Sequence, residues 1–95
     1  MAKTKSWIEK KLENPRFKKK YEQESDKLAI SEQLIKLRLE SGLTQAELAE
    51  RISTTASAIS RYESEGYDRY EINTIRKIVE ACDGELQIII KSRSA

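Results

Sequence analysis

The sequence predicts an all-α protein with one short β-strand close to its C-terminus, and three observations support this prediction. The chain of 95 residues contains only one proline and three glycines, so regular structure can cover most of it. Apolar residues recur every three or four positions in several segments, which is the spacing of an amphipathic helix. After Gly84 the spacing shortens to two residues, which is typical of a strand.

The composition excludes several classes of protein. Charged residues make up 36% of the chain and apolar residues 38%, as in a soluble domain. The sequence contains no histidine and one cysteine, so we expect no internal disulfide, no zinc site and no catalysis by imidazole. Because no carboxylate is associated with a nucleophile, a set of metal ligands or a phosphate loop, we predict that the protein is not an enzyme and uses no cofactor.

Charge and hydropathy divide the chain into regions. Residues 1–30 contain nine basic and five acidic side chains, a net charge of +4, whereas residues 31–95 contain nine and eleven, a net charge of −2. We predict a basic arm over residues 1–25, a domain over residues 26–84, and a strand with a short tail over residues 85–95. With no apolar run of about 18 residues and no signal-peptide core, the sequence predicts a cytoplasmic protein without a membrane span.

The arm is predicted to form two short helices, the first over about residues 6–13. Asn14 is a suitable N-cap and Pro15 a suitable first residue for the second helix. The arm offers its apolar side chains little core of their own, so we expect that it either lies on the body of the protein or presents these side chains as anchors to a protein partner. These candidate anchors are Trp7, Ile8, Leu12, Phe17 and Tyr21.

A third helix is predicted from a cap at Ser25 or Asp26 to about Glu40, and Gly42 can end it in the left-handed conformation. Its predicted inner face consists of Leu28, Ile30, Leu34 and Leu37.

The segment from Leu43 to Glu63 contains the most specific pattern in the chain. Thr44 and Glu47 have the spacing of a capping box, and after a turn at Ser53 and Thr54 either Thr54 or Thr55 can cap the next helix. Two helices of about eight residues joined by a tight turn form a helix-turn-helix. The side chains predicted to face inward are Leu48, Ala49, Ile52, Ala58, Ile59 and Tyr62.

The C-terminal part is predicted to contain a loop over residues 64–71, one more helix and the strand. Asp83 and Gly84 end the helix, whose inner stripe is Ile72, Ile75, Ile78, Val79 and Cys82. A single strand leaves its backbone groups unpaired, so we expect it to pair with the same strand of a second copy in a homodimer. The residues predicted to form this dimer contact are Leu86, Ile88, Ile89 and Ile90.

Residues 34–63 resemble the helix-turn-helix of the Xre and phage-repressor family, and the matching stretches are residues 37–52 and 58–63. This resemblance implies a five-helix, lambda-repressor-like domain that binds double-stranded operator DNA as a dimer. Together with the arm and the strand, the whole chain is similar to HigA-type antitoxins of HigBA toxin–antitoxin systems. That similarity implies repression of the protein's own operon and neutralisation of a small RelE/HigB-like toxin that cleaves mRNA. A stand-alone Xre-type repressor without a toxin partner is the alternative.

In such a motif the second helix enters the major groove, where Arg61 can make a bidentate contact to guanine. Arg61 could instead pair with Glu50 or Glu63 within the chain. Other positions on the same face can contact bases, and Gln45 and Arg51 can contact phosphates, with Lys36 and Arg38 as secondary candidates. The predicted DNA-binding residues are Gln45, Arg51, Thr54, Thr55, Ala56, Ser57, Ser60 and Arg61.

For the toxin implied by the resemblance, the apolar anchors of the arm are the first candidates for its docking. The acidic side chains of the body are the second, since they suit a basic partner: Glu80, Asp83 and Glu85.

Overall fold

Six α-helices and one 3₁₀ turn follow one another along residues 7–94, the part of the chain that the computed structural model describes. No β-strand occurs within this part. The start of the predicted arm, residues 1–6, lies outside the described residues, as does Ala95. The helices are α1 (Trp7–Lys11), α2 (Pro15–Gln23), α3 (Ile30–Glu40), α4 (Gln45–Arg51), α5 (Ala56–Tyr62) and α6 (Ile72–Ala81), and the 3₁₀ turn spans Ser25–Lys27.

Local capping signals place the start of α2 where the sequence predicts it. The Asn14 side chain accepts a hydrogen bond of 2.9 Å from the amide of Arg16, and Pro15 occupies the first helical position. Proline is favoured there because its missing N–H would have no partner within the helix.

Residues 26–84 contain four α-helices, α3 to α6, so the prediction of a five-helix domain is wrong.

The start of α3 differs from the prediction. Ser25 and Asp26 belong to the separate 3₁₀ turn, after which Leu28 and Ala29 are extended, and the helix begins only at Ile30. The carboxylate of Glu32 accepts a hydrogen bond of 2.8 Å from the Ala29 amide and so satisfies one free N–H at the helix start. This start also explains an error in the predicted inner face: Ile30 is exposed, whereas Leu28 is buried.

The main core lies between α3, α4, α5 and α6. Leu37, Ile52, Tyr62 and Leu86 pack against it from partly buried positions. The core does not extend to the first residue of α6, so Ile72 is 52% exposed and its predicted inward position is wrong. The fully enclosed members of the core are Leu34, Leu43, Leu48, Ala49, Ile59, Ile75, Ile78, Val79 and Cys82.

A second core joins the arm to the rest of the molecule. Ile8 of α1 and Phe17 of α2 are buried against Leu28 and Ile35. Of the two outcomes expected for the arm, packing on the body is therefore the one found among the described residues. Three of them pack against this second core from partly buried positions: Trp7, Leu12 and Tyr21.

The end of α6 is close to the prediction. Asp83 takes the left-handed conformation, with φ of 57°, and the Gly84 amide donates a 2.8 Å hydrogen bond to the Val79 carbonyl. A Cβ atom at Gly84 would lie 2.8 Å from the Leu37 side chain. Any other residue at this position would therefore require the Leu37 side chain to shift.

The predicted strand over residues 85–91 has no regular structure in the single chain. Leu86 packs against the main core of its own chain from a partly buried position, so it is less available for a dimer contact than the isoleucines that follow it. The three isoleucine side chains that follow Gln87 are exposed, and the exposed fractions of Ile88, Ile89 and Ile90 are 58%, 72% and 92%. A strand forms only with a partner for its backbone groups, and the described part of this chain supplies none.

Candidate DNA-binding surface

The first helix of the motif, α4, begins with the predicted capping box. The Thr44 hydroxyl accepts a 3.0 Å hydrogen bond from the Glu47 amide, and the Glu47 carboxylate accepts one of 2.9 Å from the Thr44 amide. This bond to the Thr44 amide holds the pKa of Glu47 below its usual value. The box fixes where α4 starts and therefore which of its residues face the core.

A short turn connects α4 to α5. Ser53 has a φ of 58°, in the left-handed region that a side chain other than glycine adopts at some cost in energy. The Thr54 amide donates a 2.9 Å hydrogen bond to the Ala49 carbonyl, and the Thr55 hydroxyl accepts a 3.1 Å hydrogen bond from the Ala58 amide. Of the two predicted caps, Thr55 is therefore the one that caps α5, and the tight turn of a helix-turn-helix is confirmed.

The second helix, α5, presents one polar face to solvent. Ile59 is 1% exposed and fills the space between the helices. The side chains predicted to face outward are exposed: Thr54, Thr55, Ala56, Ser57, Ser60 and Arg61. Small hydroxyl and methyl groups beside one arginine form a surface that can approach base edges closely. We call this set of six residues the α5 face.

Arg61 is the one long basic side chain on the α5 face. It is exposed, and it forms no ion pair with any residue between 7 and 94. The alternative that Arg61 pairs with Glu63 is wrong because Glu63 is occupied by another arginine. Its guanidinium is therefore available to an acceptor outside the chain.

Glu63, which follows α5 directly, is the centre of a buried polar network. Arg38 donates two hydrogen bonds to its carboxylate, at 2.6 and 2.9 Å, and a third of 2.8 Å to the Leu43 carbonyl. Gln45 donates a further hydrogen bond of 3.0 Å to Glu63. Arg38 is 8% exposed, so its prediction as a phosphate contact is wrong. Gln45 is half-buried and keeps one side-chain N–H for an outside acceptor.

The other two predicted phosphate contacts differ in accessibility. Arg51 is exposed, although one of its N–H groups donates a 3.0 Å hydrogen bond to the Ala81 carbonyl. Lys36 lies 3.0 Å from Glu40 and 5.7 Å from the ring centre of Tyr21, and its side chain is only 16% exposed. Arg51 thus remains available for DNA, whereas the arm and Glu40 cover Lys36.

Sequence reasoning missed a tyrosine cluster that supports the end of α5. Tyr62, Tyr67 and Tyr70 have ring centres 4.8 to 6.4 Å apart, and the Tyr70 hydroxyl donates to the Tyr62 carbonyl. Burial raises the pKa of Tyr70 to about 12. Three tyrosines in nine residues were the available signal, but only the fold brings their rings together.

The arm also contacts the end of α5, which the sequence did not predict. The indole Nε1 of Trp7 donates a 2.9 Å hydrogen bond to the carbonyl of Glu63. Lys11 lies 2.8 Å from the buried carboxylate of Glu32 and 3.4 Å from that of Glu65. These bonds raise the pKa of Lys11, chiefly through the hydrogen bond to Glu32. The arm is thus tied to α3 and to the segment after α5.

Residues 7–94 lack the features of two other kinds of site. No group of three or more cysteine, aspartate and glutamate side chains there could hold a metal ion. None of the helices described has the length and apolar character needed to cross a bilayer. Cys82 is buried in the main core, as expected of a small apolar residue on the inner stripe of α6. Burial also raises the pKa of its thiol.

Comparison with known proteins gives one match. A family model described as helix-turn-helix matches residues 34–89, which run from α3 through the C-terminal segment. No curated protein and no solved structure matches the chain. The match covers more than half of the 95 residues and includes the capping box, the turn and the whole α5 face. The protein therefore belongs to the Xre-like helix-turn-helix family, whose members are sequence-specific DNA-binding transcriptional regulators.

Proposed function

We propose that the protein is a dimeric repressor that reads its operator with the α5 face. The observation that carries this proposal is the exposed α5 face itself, on which Arg61 has no ion-pair partner within residues 7–94. In a helix-turn-helix, the second helix lies in the major groove and the first crosses the backbone. Arg61 would then supply the bidentate contact to a guanine, which is the commonest specific contact in protein–DNA complexes.

The remaining α5-face residues would add weaker discrimination. Ser57 and Ser60 can donate or accept hydrogen bonds and therefore distinguish bases poorly. The methyl groups of Thr55 and Ala56 can contact thymine methyl groups. Gln45 and Arg51 would contact phosphates and so fix the position of the helix without reading sequence.

Affinity is proposed to depend on the dimer. The net charge of +2 predicts weak nonspecific binding and a shallow salt dependence, because few phosphates are neutralised per subunit. Two copies must therefore place two α5 helices in successive major grooves, about 34 Å apart. The exposed side chains of Ile88, Ile89 and Ile90 support a dimer contact in the C-terminal segment, since soluble monomers rarely expose adjacent large apolar residues.

The DNA-reading role of Arg61 can be tested on a binding site obtained by selection. The wild-type protein is used to select duplexes from a random library, and the selected site is then mutated base by base. We expect Arg61→Ala to lose roughly 1–3 kcal/mol of discrimination at one base pair per half-site. The matched control is Arg76→Ala, which removes an exposed arginine of α6 that bonds to Asn73. If Arg61→Ala keeps the wild-type base preference, α5 does not read DNA through this residue.

We further propose, on the similarity to HigA-type antitoxins, that the repressor neutralises a RelE/HigB-like toxin. Burial of Ile8 and Phe17 bears on where such a partner would dock. A toxin that used these two side chains would first have to separate the arm from α3, whereas Trp7, Leu12 and Tyr21 are partly accessible on the folded arm. The acidic side chains of the body remain the second candidate surface: Glu80, Asp83 and Glu85.

Purification of the tagged protein from its source cells separates this proposal from the stand-alone repressor. We expect a small basic protein to co-purify in stoichiometric amount and to lose its mRNA-cleaving activity when bound. Recovery of the homodimer alone would contradict the toxin proposal and would leave the arm as a purely structural or DNA-directed segment.

A further inference from the structure

We infer that the arm belongs to the DNA-binding machinery, and that Trp7 positions the α5 helix for operator binding. The inference rests on the proposed DNA-reading role of α5. It extends that role to a segment outside residues 34–89, the part of the chain that the helix-turn-helix family shares. Trp7 does not touch the α5 face and would act through Glu63.

Every polar group of Glu63 is engaged. Its amide donates a 3.0 Å hydrogen bond to the Ile59 carbonyl in the last turn of α5, and its carboxylate accepts from Arg38 and Gln45. Its carbonyl accepts the 2.9 Å bond from Trp7. Carbonyls at a helix C-terminus have no partner within the helix, so this indole replaces water at the end of α5.

Lys11 provides a second connection in the same region. Its ammonium group bridges Glu32 of α3, whose side chain is 6% exposed, and Glu65, two residues beyond Glu63. It also lies 5.5 Å from the ring centre of Trp7 and 5.0 Å from that of Phe17, within the range of cation–π attraction. The indole is therefore held by the lysine while it donates to Glu63.

These contacts matter because α5 is short. It has seven residues, and a helix of this length is not stable in water without tertiary contacts. Its orientation depends on anchors at both ends: the bond from Thr54 to Ala49 at the start, and the Glu63 network at the finish. If the contacts at the Glu63 end weaken, α5 also adopts orientations that do not fit the major groove. The apparent affinity for operator then falls, because only the fraction of molecules with the correct orientation can bind.

The test compares two variants of the full chain that are similarly destabilised. Trp7→Phe keeps an aromatic ring but removes the donor to Glu63. Ile78→Val removes one methylene from the main core, remote from the arm, and costs a similar amount of stability. Operator affinity is measured at a temperature at which both variants are fully folded. We expect Trp7→Phe to bind roughly two- to tenfold more weakly, the range for loss of one hydrogen bond, and Ile78→Val to bind like wild type.

The outcomes separate the inference from the function on which it rests. Normal binding by Trp7→Phe overturns the positioning role while leaving the DNA-binding proposal intact. Equal losses in both variants also overturn it, because the arm would then act only through overall stability. If the wild-type protein selects no duplex at all, the proposed function fails and the inference fails with it.

A spectroscopic readout tests the same coupling from the opposite direction. Trp7 is the only tryptophan in the chain, so fluorescence excited selectively at tryptophan reports on the environment of this one indole. Coupling between two sites is reciprocal. If docking of the arm strengthens operator binding by some factor, operator binding should therefore strengthen docking of the arm by the same factor. We expect acrylamide to quench Trp7 less efficiently when operator is bound. Unchanged quenching overturns the inference, as does an equal change with saturating nonspecific duplex, which would indicate direct shielding by DNA.

Discussion

At the residue scale, Glu63 connects more of this molecule than any feature of its local sequence suggests. It directly follows α5, and its carboxylate accepts hydrogen bonds from Arg38 of α3 and Gln45 of α4. Its carbonyl accepts a hydrogen bond from the indole of Trp7. A buried carboxylate is tolerated only where its charge is paired and its oxygens are bonded. Here both conditions are met, and no buried side-chain polar atom among residues 7–94 lacks a partner.

We predict that Glu63→Ala lowers the free energy of unfolding by about 3–5 kcal/mol, because it leaves Arg38 buried without its counter-charge. The double variant Arg38→Met, Glu63→Leu should lose less, since both charges are removed together. Urea denaturation followed by circular dichroism measures both. The control is Glu65→Ala, whose side chain is 59% exposed and whose surface pair should contribute less than about 1 kcal/mol. A loss for Glu63→Ala no larger than this control would contradict the prediction.

At the scale of elements, the loop over residues 64–71 keeps α5 in place through its tyrosines. Tyr70 packs on Tyr62, the last residue of α5, and bonds to its carbonyl. Burial favours the neutral hydroxyl and so raises the pKa of Tyr70 from 10.0 to about 12. A group whose pKa is higher in the folded state contributes stability below its unfolded pKa, and this contribution is lost as pH rises towards the folded value.

We therefore predict that the free energy of unfolding falls between pH 10 and about pH 12, and that Tyr70→Phe falls less steeply. Lys11, whose pKa is also raised, contributes a decrease of the same sign in both proteins. Thermal melts across this range measure the two slopes, and melts below pH 10 give the separate cost of the lost hydrogen bond. Parallel curves for the two proteins would show that Tyr70 does not titrate in this interval.

In the molecule as a whole, exposure limits the predicted dimer contact to Ile88, Ile89 and Ile90, a shorter segment than the sequence pattern indicates. Leu86 belongs to the main core, so a chain ending at Gln87 should still fold. We predict that it is monomeric and binds operator roughly a hundredfold or more weakly, because the second half-site no longer acts in concert. Sedimentation equilibrium and operator titration measure both effects.

The control for this truncation is a chain ending at Lys91, which retains Ile88, Ile89 and Ile90 and should remain a dimer. If the shorter chain still forms a dimer, the interface lies elsewhere and the strand-pairing proposal is wrong.

Local signals in the sequence correctly predicted where several helices of this protein begin. The N-cap at Asn14, the capping box of Thr44 and Glu47 and the cap at Thr55 all lie where the sequence predicts them. The α5 face is exposed as its spacing requires. These signals depend on side chains within about four residues of one another, and such neighbours meet in any helix regardless of the rest of the fold.

The contacts between distant groups depend on how the helices pack, and the sequence did not predict them. Arg38 and Glu63 are 25 positions apart, and Trp7 and Glu63 are 56 apart. Spacing along the chain cannot distinguish an arginine that pairs inside the protein from one that contacts phosphate. It also cannot show whether the apolar side chains of an arm cover their own domain or await a partner. Both outcomes depend on how α3 packs, because Leu28 and Ile35 provide the surface on which the arm is buried.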